Sequence, residues 1–255
     1  MSEDAVFLTA HPDVSSAAII RLHRPQTRNA LRPQDARRLN ELLMQVQHDP
    51  AIKLVFITGS EGAFTGGADI NAINELSGPE LSAFVELQVD LLTRIVAMPK
   101  IVVAAVNGVT AGLGNHISIC ADLCFAVDTA SFNFTGAAKG LPSLLYGTLM
   151  LPMTIGLKRA KAIYLRGGKI TAREAVEYGF CNEAVAPADW DATLAALAEE
   201  FAPRNPMTLA HNKYQLNQAA LQLAGAAKLS GLAGSAALST ATDIPTGRVR
   251  TGPAS

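Results

Sequence analysis

The sequence has 255 residues, of which 49% are hydrophobic and 17% are charged, and its formal net charge is −1 at pH 7. This balance is typical of a compact folded protein and excludes the basic surface that nucleic-acid binding requires. The first ten residues carry acidic rather than basic side chains, and the apolar run at 101–106 is too short to cross a bilayer. We therefore expect a cytoplasmic protein that binds neither nucleic acid nor membrane.

The three cysteines are too few for a disulfide framework and lack the partners that a metal site needs. Cys120 and Cys124 lie in an apolar stretch, and Cys181 follows a glycine that ends a helical pattern. Free cysteines are among the residue types most often buried. We predict three buried thiols and no metal site.

Strand and helix patterns alternate in the first half of the chain. Short apolar runs rich in β-branched residues predict strands at 17–22, 54–58, 101–106, 123–127 and 131–134. Apolar residues recur at helical spacing across 33–47 and 80–96, between the first three of these strands. This order predicts right-handed crossovers and an α/β fold with mainly parallel sheets.

Helical patterns dominate after Gly147. They predict helices at 148–155, 157–166, 172–178 (with Thr171 as the N-cap), 190–201 and 207–223. No linker is long enough to separate independent domains. We expect a core at residues 1–190 and a C-terminal helical region at 191–255, whose apolar surface would be used in oligomerisation.

Two glycine-rich segments follow predicted strands, at the carboxyl ends where open parallel sheets place ligands. They read GSEGAFTGGADI at 59–70 and NGVTAGLGNH at 107–116. Small residues let the backbone approach a ligand, and a helix beginning near Gly112 would direct free N–H groups at an oxygen atom. Neither segment has the Gly-Lys-Ser/Thr of a P-loop, and Ile117 stands where a dinucleotide fingerprint needs Gly or Ala.

Four segments resemble those of the crotonase (enoyl-CoA hydratase/isomerase) superfamily and occur in the family's order. They read RPQTRNAL at 24–31, AFTGGADI at 63–70, KIVVAAVNGVTAGLGNHISICAD at 100–122 and AREAVEYGFCNEAV at 172–185. The resemblance implies a ββα-superhelix core and an acyl-CoA thioester substrate. It also implies no permanently bound cofactor, since CoA is part of the substrate, and a homotrimer or dimer of trimers.

The same resemblance assigns site residues. The backbone N–H groups of Ala68 and Leu113 correspond to an oxyanion hole that polarises the thioester carbonyl and stabilises an enolate. Preorganised donors of this kind contribute about 3–4 kcal/mol each to transition-state stabilisation. The family's CoA-contacting positions correspond to Arg28, Ala30, Gly66, Ala68, Asp69 and Ile70. The residue pattern itself favours Asp69 as the N-cap of a short helix.

Both acid/base glutamates of the family's hydratases are missing. His116 stands in place of the first, and Gly136 stands in place of the second. Hydration needs one group to activate water and another to deliver the α-proton, so ordinary hydration is disfavoured. His116, in the first turn of a partly buried helix, is either a neutral general base or a packing residue. Glu75 is a further candidate carboxylate.

Other side chains receive weaker assignments. The remaining histidines are predicted on the surface: His11, His23, His48 and His211. Bulk near the acyl group would come from Leu144, Leu145 and Tyr146, and a hydroxyl from Ser143 or Tyr146. Without the family's basic C-terminal tail, either CoA binding depends on Arg28, Arg248 and Arg250, or affinity for free CoA thioesters is weak.

Three hypotheses follow. The leading one is proton transfer at the α-carbon of an acyl-CoA, with double-bond isomerisation favoured because one movable base suffices. The second keeps the oxyanion hole for thioester hydrolysis, decarboxylation or C–C cleavage. The third is a non-catalytic acyl-CoA-binding subunit. Fold resemblance does not decide among them, because function resides in the site.

Overall fold

A computed structural model describes residues 5–139, 141–143 and 146–240. The predictions for Leu144, Leu145, Arg248 and Arg250 therefore lie outside the described residues, as does the end of the predicted C-terminal region.

The strands are β1 (Val6–Ala10), β2 (Ala17–Leu22), β3 (Leu54–Thr58), β4 (Ala63–Thr65), β5 (Ile101–Val106), β6 (Val109–Ala111), β7 (Leu123–Val127), β8 (Ser131–Phe134), β9 (Gly168–Thr171) and β10 (Glu183–Val185). The helices are α1 (Pro33–His48), α2 (Ile70–Asn74), α3 (Gly78–Ala97), α4 (Leu113–Cys120), α5 (Gly147–Ile155), α6 (Leu157–Arg166), α7 (Ala172–Tyr178), α8 (Trp190–Phe201), α9 (Pro206–Leu216), α10 (Gln218–Gln222) and α11 (Ala224–Thr240). The five predicted strands are confirmed at their predicted bounds.

The strands form two sheets. A six-stranded sheet has the order β1-β2-β3-β5-β7-β10, and a four-stranded sheet has the order β4-β6-β8-β9. Among the strands of the described residues, β1 pairs antiparallel with β2 and β9 pairs antiparallel with β8, while the other pairs are parallel. The mainly parallel arrangement is therefore confirmed. Consecutive strands alternate between the sheets: β3, β5 and β7 enter the first, while β4, β6 and β8 enter the second. A helix follows each such pair, which gives a repeated β–β–α unit.

The central strands of the larger sheet are buried on both faces. Alternate residues of a strand face opposite sides of the sheet. Val55 and Ile57 of β3 therefore contribute to one core cluster, while Leu54 and Phe56 contribute to a second, which Leu197 of α8 helps to form. This double burial explains why β3 and β5 read as continuous apolar runs in the sequence. The three cysteines are buried and free, as predicted.

Two predictions from local pattern are wrong. Residues 206–222 form α9 and α10 rather than one helix, because Asn217 at the junction (φ −91°, ψ 5°) donates a side-chain hydrogen bond to Val96 O at 2.9 Å. His11 is buried rather than on the surface: its ring lies 5.9 Å from that of Phe56, and its Nδ1 accepts from Asp13 N. Both depend on tertiary contacts that periodicity does not report.

Helix α9 is fixed to the core by a buried ion pair. The Nζ of Lys213 donates to Asp122 Oδ2 at 2.7 Å and to the carbonyls of Ile95 and Lys100 at 2.8 Å each. Burial lowers the pKa of Lys213, and the neighbouring carboxylate opposes that shift. The three acceptors satisfy all three donors of the ammonium group.

Replacing Lys213 with Met leaves the partly buried Asp122 without its cation. We expect Lys213→Met to lower the free energy of unfolding by about 3–5 kcal/mol, measured by denaturant titration. Lys228→Met is the matched control, because the half-exposed Lys228 approaches Glu86 only to 3.5 Å and contributes less than about 1 kcal/mol. Equal losses in the two variants would contradict a special role for the buried pair.

Candidate active site

The two glycine-rich segments meet because the short strands inside them are neighbours. Strands β4 and β6 pair in parallel, with Ala63 opposite Val109 and Thr65 opposite Thr110. The carboxyl ends of parallel neighbours lie at the same edge of a sheet. Gly66–Asp69, after β4, and the start of α4, after β6, are therefore adjacent. Neither three-residue strand was predicted from the sequence.

Two glycines bring these segments into direct contact. Gly67 has a φ of +90°, and a Cβ there would lie 2.8 Å from Ala111 O and 3.2 Å from Leu113 N. Gly112, the N-cap of α4, has a φ of +51°, and its Cβ would lie 3.5 Å from Gly67 Cα. Only glycine combines positive φ with this close approach.

The amides of Ala68 and Leu113 are both free to bind a ligand. Gly67 O accepts a hydrogen bond from Leu31 N, and Asp69 N donates to Leu31 O, so the intervening N–H of Ala68 points away from this bridge. Leu113 is the first residue of α4, where an amide has no intrahelical acceptor. Within the described part of the chain, neither N–H donates a hydrogen bond.

Asn29 orders the first segment, a role that the sequence did not reveal. This residue is buried, and its Nδ2 donates to Ala63 O at 2.8 Å and to Ser60 O at 3.0 Å. Thr65 Oγ1 donates to Asn29 O at 2.7 Å and accepts from Gly67 N at 3.0 Å. This series of hydrogen bonds from Asn29 to Gly67 fixes the backbone that leads into Ala68.

A cavity of about 670 Å³ lies against both amides. Its walls come from the two segments, α2, α3, α6, the end of β8 and residues 141–143. Apolar side chains from α2 and α3 form much of one wall: Ile73, Leu81, Phe84 and Val85. Among the described lining residues, His116 and Tyr164 are titratable and there is no carboxylate.

His116 is a neutral imidazole in the wall of this cavity. It lies one helical turn after Leu113, and helical side chains lean toward the N-terminus of their helix, which here is the end that carries the free amide. Burial lowers the pKa of His116 to about 4. Its Nδ1 is covered and lacks a hydrogen-bond partner within the described residues. A Cβ at Gly147 would lie 2.5 Å from that atom, so this glycine makes room for the ring.

Three residues with hydroxyl groups lie near the imidazole: Ser143, Thr148 and Tyr164. Ser143 Oγ lies 3.4 Å from His116 Nε2 and is hydrogen-bonded to Thr148 Oγ1. Tyr164 stacks on the imidazole, with ring centroids 6.4 Å apart and planes at 26°. Burial raises the pKa of Tyr164, so its hydroxyl is protonated at neutral pH. The sequence suggested a hydroxyl from Ser143 but assigned no role to Thr148 or Tyr164.

The predicted CoA-contacting residues lie together around the first segment. Gly66, Ala68 and Ile70 line the cavity. The exposed Arg28 lies beside Gly66, whose N–H donates to Arg28 O at 2.7 Å, and a Cβ at Gly66 would lie 3.8 Å from Cβ of Ala30. Contact between these residues and CoA stays a prediction.

Asp69 is the N-cap of α2, as predicted. Its Oδ1 accepts from Asn71 N and Ala72 N, while Oδ2 accepts from Arg24 at 3.1 Å. Arg24 also donates to Ala30 O at 2.7 Å. These bonds tie the residue after Ala68 to the RPQTRNAL segment. Asp69 is absent from the cavity wall, so its predicted contact with CoA stays untested.

The positions where carboxylates were considered carry none into the cavity. Gly136 lines it, and a Cβ there would lie 2.9 Å from Leu141 O, so a side chain requires Gly136 or Leu141 to move. Glu75 is exposed at the end of α2 and lies outside the lining. The prediction that Tyr146 adds bulk or a hydroxyl near the acyl group is wrong: its side chain is fully buried outside the cavity lining and donates its hydroxyl to Ala220 O.

The repeated β–β–α units, the paired free amides and the adjoining cavity define a crotonase-type α/β protein. The sequence profile of the enoyl-CoA hydratase/isomerase family matches residues 13–238. The chain belongs to this enzyme family, and the predicted fold class is confirmed.

Individual relatives agree with this assignment. Crotonyl-CoA hydratase of Syntrophomonas wolfei is 30% identical over 202 residues, which are 79% of this chain and 78% of that protein. The 1,2-epoxyphenylacetyl-CoA isomerase of Escherichia coli is 32% identical over 200 residues, or 77% of this chain and 74% of that protein. An enoyl-CoA hydratase/isomerase structure from Mycobacterium paratuberculosis superimposes with a TM-score of 0.85 at 26% identity, covering 93% of this chain and 95% of that one.

Two kinds of feature are absent from the described residues. Within the described ranges, no helix is both long and apolar enough to span a bilayer. The same residues contain no cluster of three or more His, Cys, Asp or Glu side chains arranged to bind a metal ion.

Proposed function

We propose that the protein binds an acyl-CoA thioester, holds its carbonyl oxygen between the N–H groups of Ala68 and Leu113, and moves a proton at the α-carbon with His116 as the base. Double-bond isomerisation is the reaction that fits best. The observation that carries the proposal is one cavity lined by Ala68 and Leu113, whose N–H groups donate no hydrogen bond within the described residues, and by a neutral histidine, with no carboxylate among the described lining residues.

The chemistry needs one base. Neutral His116 takes a proton from the α-carbon of a 3-enoyl thioester, and the carbonyl oxygen becomes an enolate oxygen between the two amides. The same imidazole returns the proton to the γ-carbon, which shifts the double bond without net gain or loss of atoms. Hydration would also require a second group to activate water, and the two family glutamates that would provide it are absent.

The apolar wall indicates the kind of acyl group. Side chains of α2 and α3 (Ile73, Leu81, Phe84 and Val85) face the cavity with no charged group among them. Burial of apolar surface contributes about 25 cal/mol per Å². We therefore propose an acyl group whose distal part is apolar. CoA belongs to the substrate, and no permanently bound cofactor is needed.

The direct test uses a 3-enoyl-CoA, such as 3-hexenoyl-CoA, in deuterated buffer. We expect the double bond to move into conjugation, seen by ultraviolet absorbance, and deuterium to appear at the α- or γ-carbon by NMR. A protein that binds the thioester yet leaves both the double bond and the α-protons unchanged would instead be the non-catalytic subunit considered above.

The quaternary structure and location rest on the family resemblance. We propose a cytoplasmic homotrimer or dimer of trimers. Light scattering coupled to size-exclusion chromatography distinguishes these assemblies from a monomer of 26.8 kDa.

A further inference from the structure

We propose that Ser143 and His116 form a nucleophile–base dyad that gives this site a second activity, the hydrolysis of acyl thioesters through an acyl-serine intermediate. The inference rests on the thioester binding of the proposed function but not on its proton transfer at the α-carbon. It requires a hydroxyl nucleophile, a neutral base in contact with it, and donors for the tetrahedral oxyanion.

The nucleophile and base are side by side. Ser143 Oγ lies 3.4 Å from His116 Nε2, and such pairs are often looser than a standard hydrogen bond before substrate binds. Ser143 is exposed, whereas His116 is buried. A thioester can therefore reach the hydroxyl, and the base lies behind it in the wall of the cavity. Thr148 Oγ1 is hydrogen-bonded to the same Ser143 oxygen, which restricts its orientation.

Packing takes the place of an orienting carboxylate. His116 lies between the stacked ring of Tyr164 and the backbone of Gly147. A Cβ at Gly147 would lie 2.5 Å from His116 Nδ1, so the imidazole ring fills the space beside this glycine. The dyad needs the tautomer with its proton on Nδ1, which leaves Nε2 as the acceptor. Nδ1 is buried and has no hydrogen-bond partner among the described residues. The site thus has the nucleophile and the base of a catalytic triad, and packing holds the imidazole ring where a carboxylate would otherwise orient it.

The oxyanion donors are those already identified. Ser143 and His116 line the same cavity as Ala68 and Leu113, so the hydroxyl, the base and the two amides all border the space in which a thioester would bind. Free backbone N–H groups stabilise a tetrahedral oxyanion in acyl transfer as well as an enolate oxygen. The machinery for hydrolysis therefore overlaps that for isomerisation and differs in the use of Ser143.

The proposed step balances. Ser143 Oγ attacks the thioester carbonyl carbon while its proton passes to His116 Nε2, and the oxyanion forms between the amides. The C–S bond breaks, and the CoA sulfur leaves with the proton from His116. A water molecule then attacks the acyl-serine ester, with His116 accepting its proton and returning it to Ser143 Oγ. The products are a free carboxylic acid and CoA thiol.

The test uses butyryl-CoA, which has no double bond to move. Thiol release is followed with a thiol-reactive chromogenic reagent, whose background is low because Cys120, Cys124 and Cys181 are buried. In parallel, a fluorophosphonate probe labels reactive serines, peptide mapping locates the label, and deuterium uptake at the α-carbon reports enolate formation. Variants are Ser143→Ala, His116→Gln and, as a matched serine control, Ser82→Ala, whose hydroxyl pairs with Ser235 on α11.

We expect wild type and Ser82→Ala to release thiol and to be labelled at Ser143, and Ser143→Ala to lose both signals. His116→Gln should slow thiol release by about 10²-fold or more. Equal release by wild type and Ser143→Ala would overturn the dyad. Deuterium uptake without thiol release would also overturn it while leaving the proposed function intact. Absence of thiol release from butyryl-CoA, together with no double-bond movement and no deuterium uptake in 3-hexenoyl-CoA, would overturn both proposals.

Discussion

His116→Gln is expected to slow double-bond migration and α-deuterium exchange by a factor of about 10²–10⁴, the usual contribution of a positioned general base. Glutamine occupies similar space but does not accept a proton at neutral pH. Affinity for the acyl-CoA should stay within a few-fold of wild type, because the amides of Ala68 and Leu113 belong to the backbone. Quenched time-point assays give the rate of double-bond migration, and isothermal titration calorimetry gives the affinity for the acyl-CoA.

His211→Gln is the matched control, since His211 is exposed on α9 and is not among the residues that line the cavity. It should retain wild-type rates. An unchanged rate in His116→Gln would make His116 a packing residue and would remove it from the mechanism. Loss of affinity and rate together would indicate that His116 supports the structure of the pocket.

The pH profile gives an independent reading of the same residue. Burial lowers the pKa of His116 to about 4, whereas an exposed histidine titrates near 6.5. The neutral form is the active base, so kcat/KM should be constant as pH falls through 6.5 and should decrease only as it approaches about 4. A decrease centred near 6.5 would contradict the buried, neutral base.

Gly67→Ala is expected to lower kcat by about 10²–10³-fold, the cost of losing one oxyanion donor. The new methyl group would stand 2.8 Å from Ala111 O and 3.2 Å from Leu113 N, so the two segments must separate and the amides no longer converge on one oxygen. Because the donors act mainly on the developing charge, kcat should fall more than affinity for substrate. Steady-state kinetics on the 3-enoyl-CoA measure both.

The same segment offers a control for backbone strain. Gly62 also has a positive φ, of +71°, but a Cβ there meets no atom within 4 Å. Gly62→Ala therefore introduces the conformational strain without the displacement. Its unfolding midpoint should fall, while kcat changes by less than about threefold. Comparable losses of kcat in both variants would assign the effect to strain and not to the amides.

The sequence predicted the parts of the fold that local pattern controls. Strands β3 and β5 were recognised at their bounds because both faces are buried and the residues are uniformly apolar. Strands β4 and β6 were missed because three residues give no periodicity, although they align the two glycine-rich segments. The helix break at Asn217 and the burial of His11 also depend on contacts with residues far along the chain.

The site was predicted unevenly for a related reason. Family motifs located Ala68, Leu113 and His116, since those positions lie within continuous segments that resemble known ones. The pair Ser143–His116 is separated by 27 residues, and Tyr164 lies on another helix. Side chains from separate elements meet only in the folded chain. The sequence therefore indicated a hydroxyl group at Ser143 but not its partner, His116.

We propose above that the N–H groups of Ala68 and Leu113 bind the thioester oxygen. A crystal structure with a non-hydrolysable acyl-CoA analogue tests this binding most directly. We expect the carbonyl oxygen within about 2.7–3.1 Å of both backbone nitrogens, with His116 Nε2 facing the acyl group. A thioester carbonyl bound elsewhere in the cavity, with either amide directed at another acceptor, would contradict it.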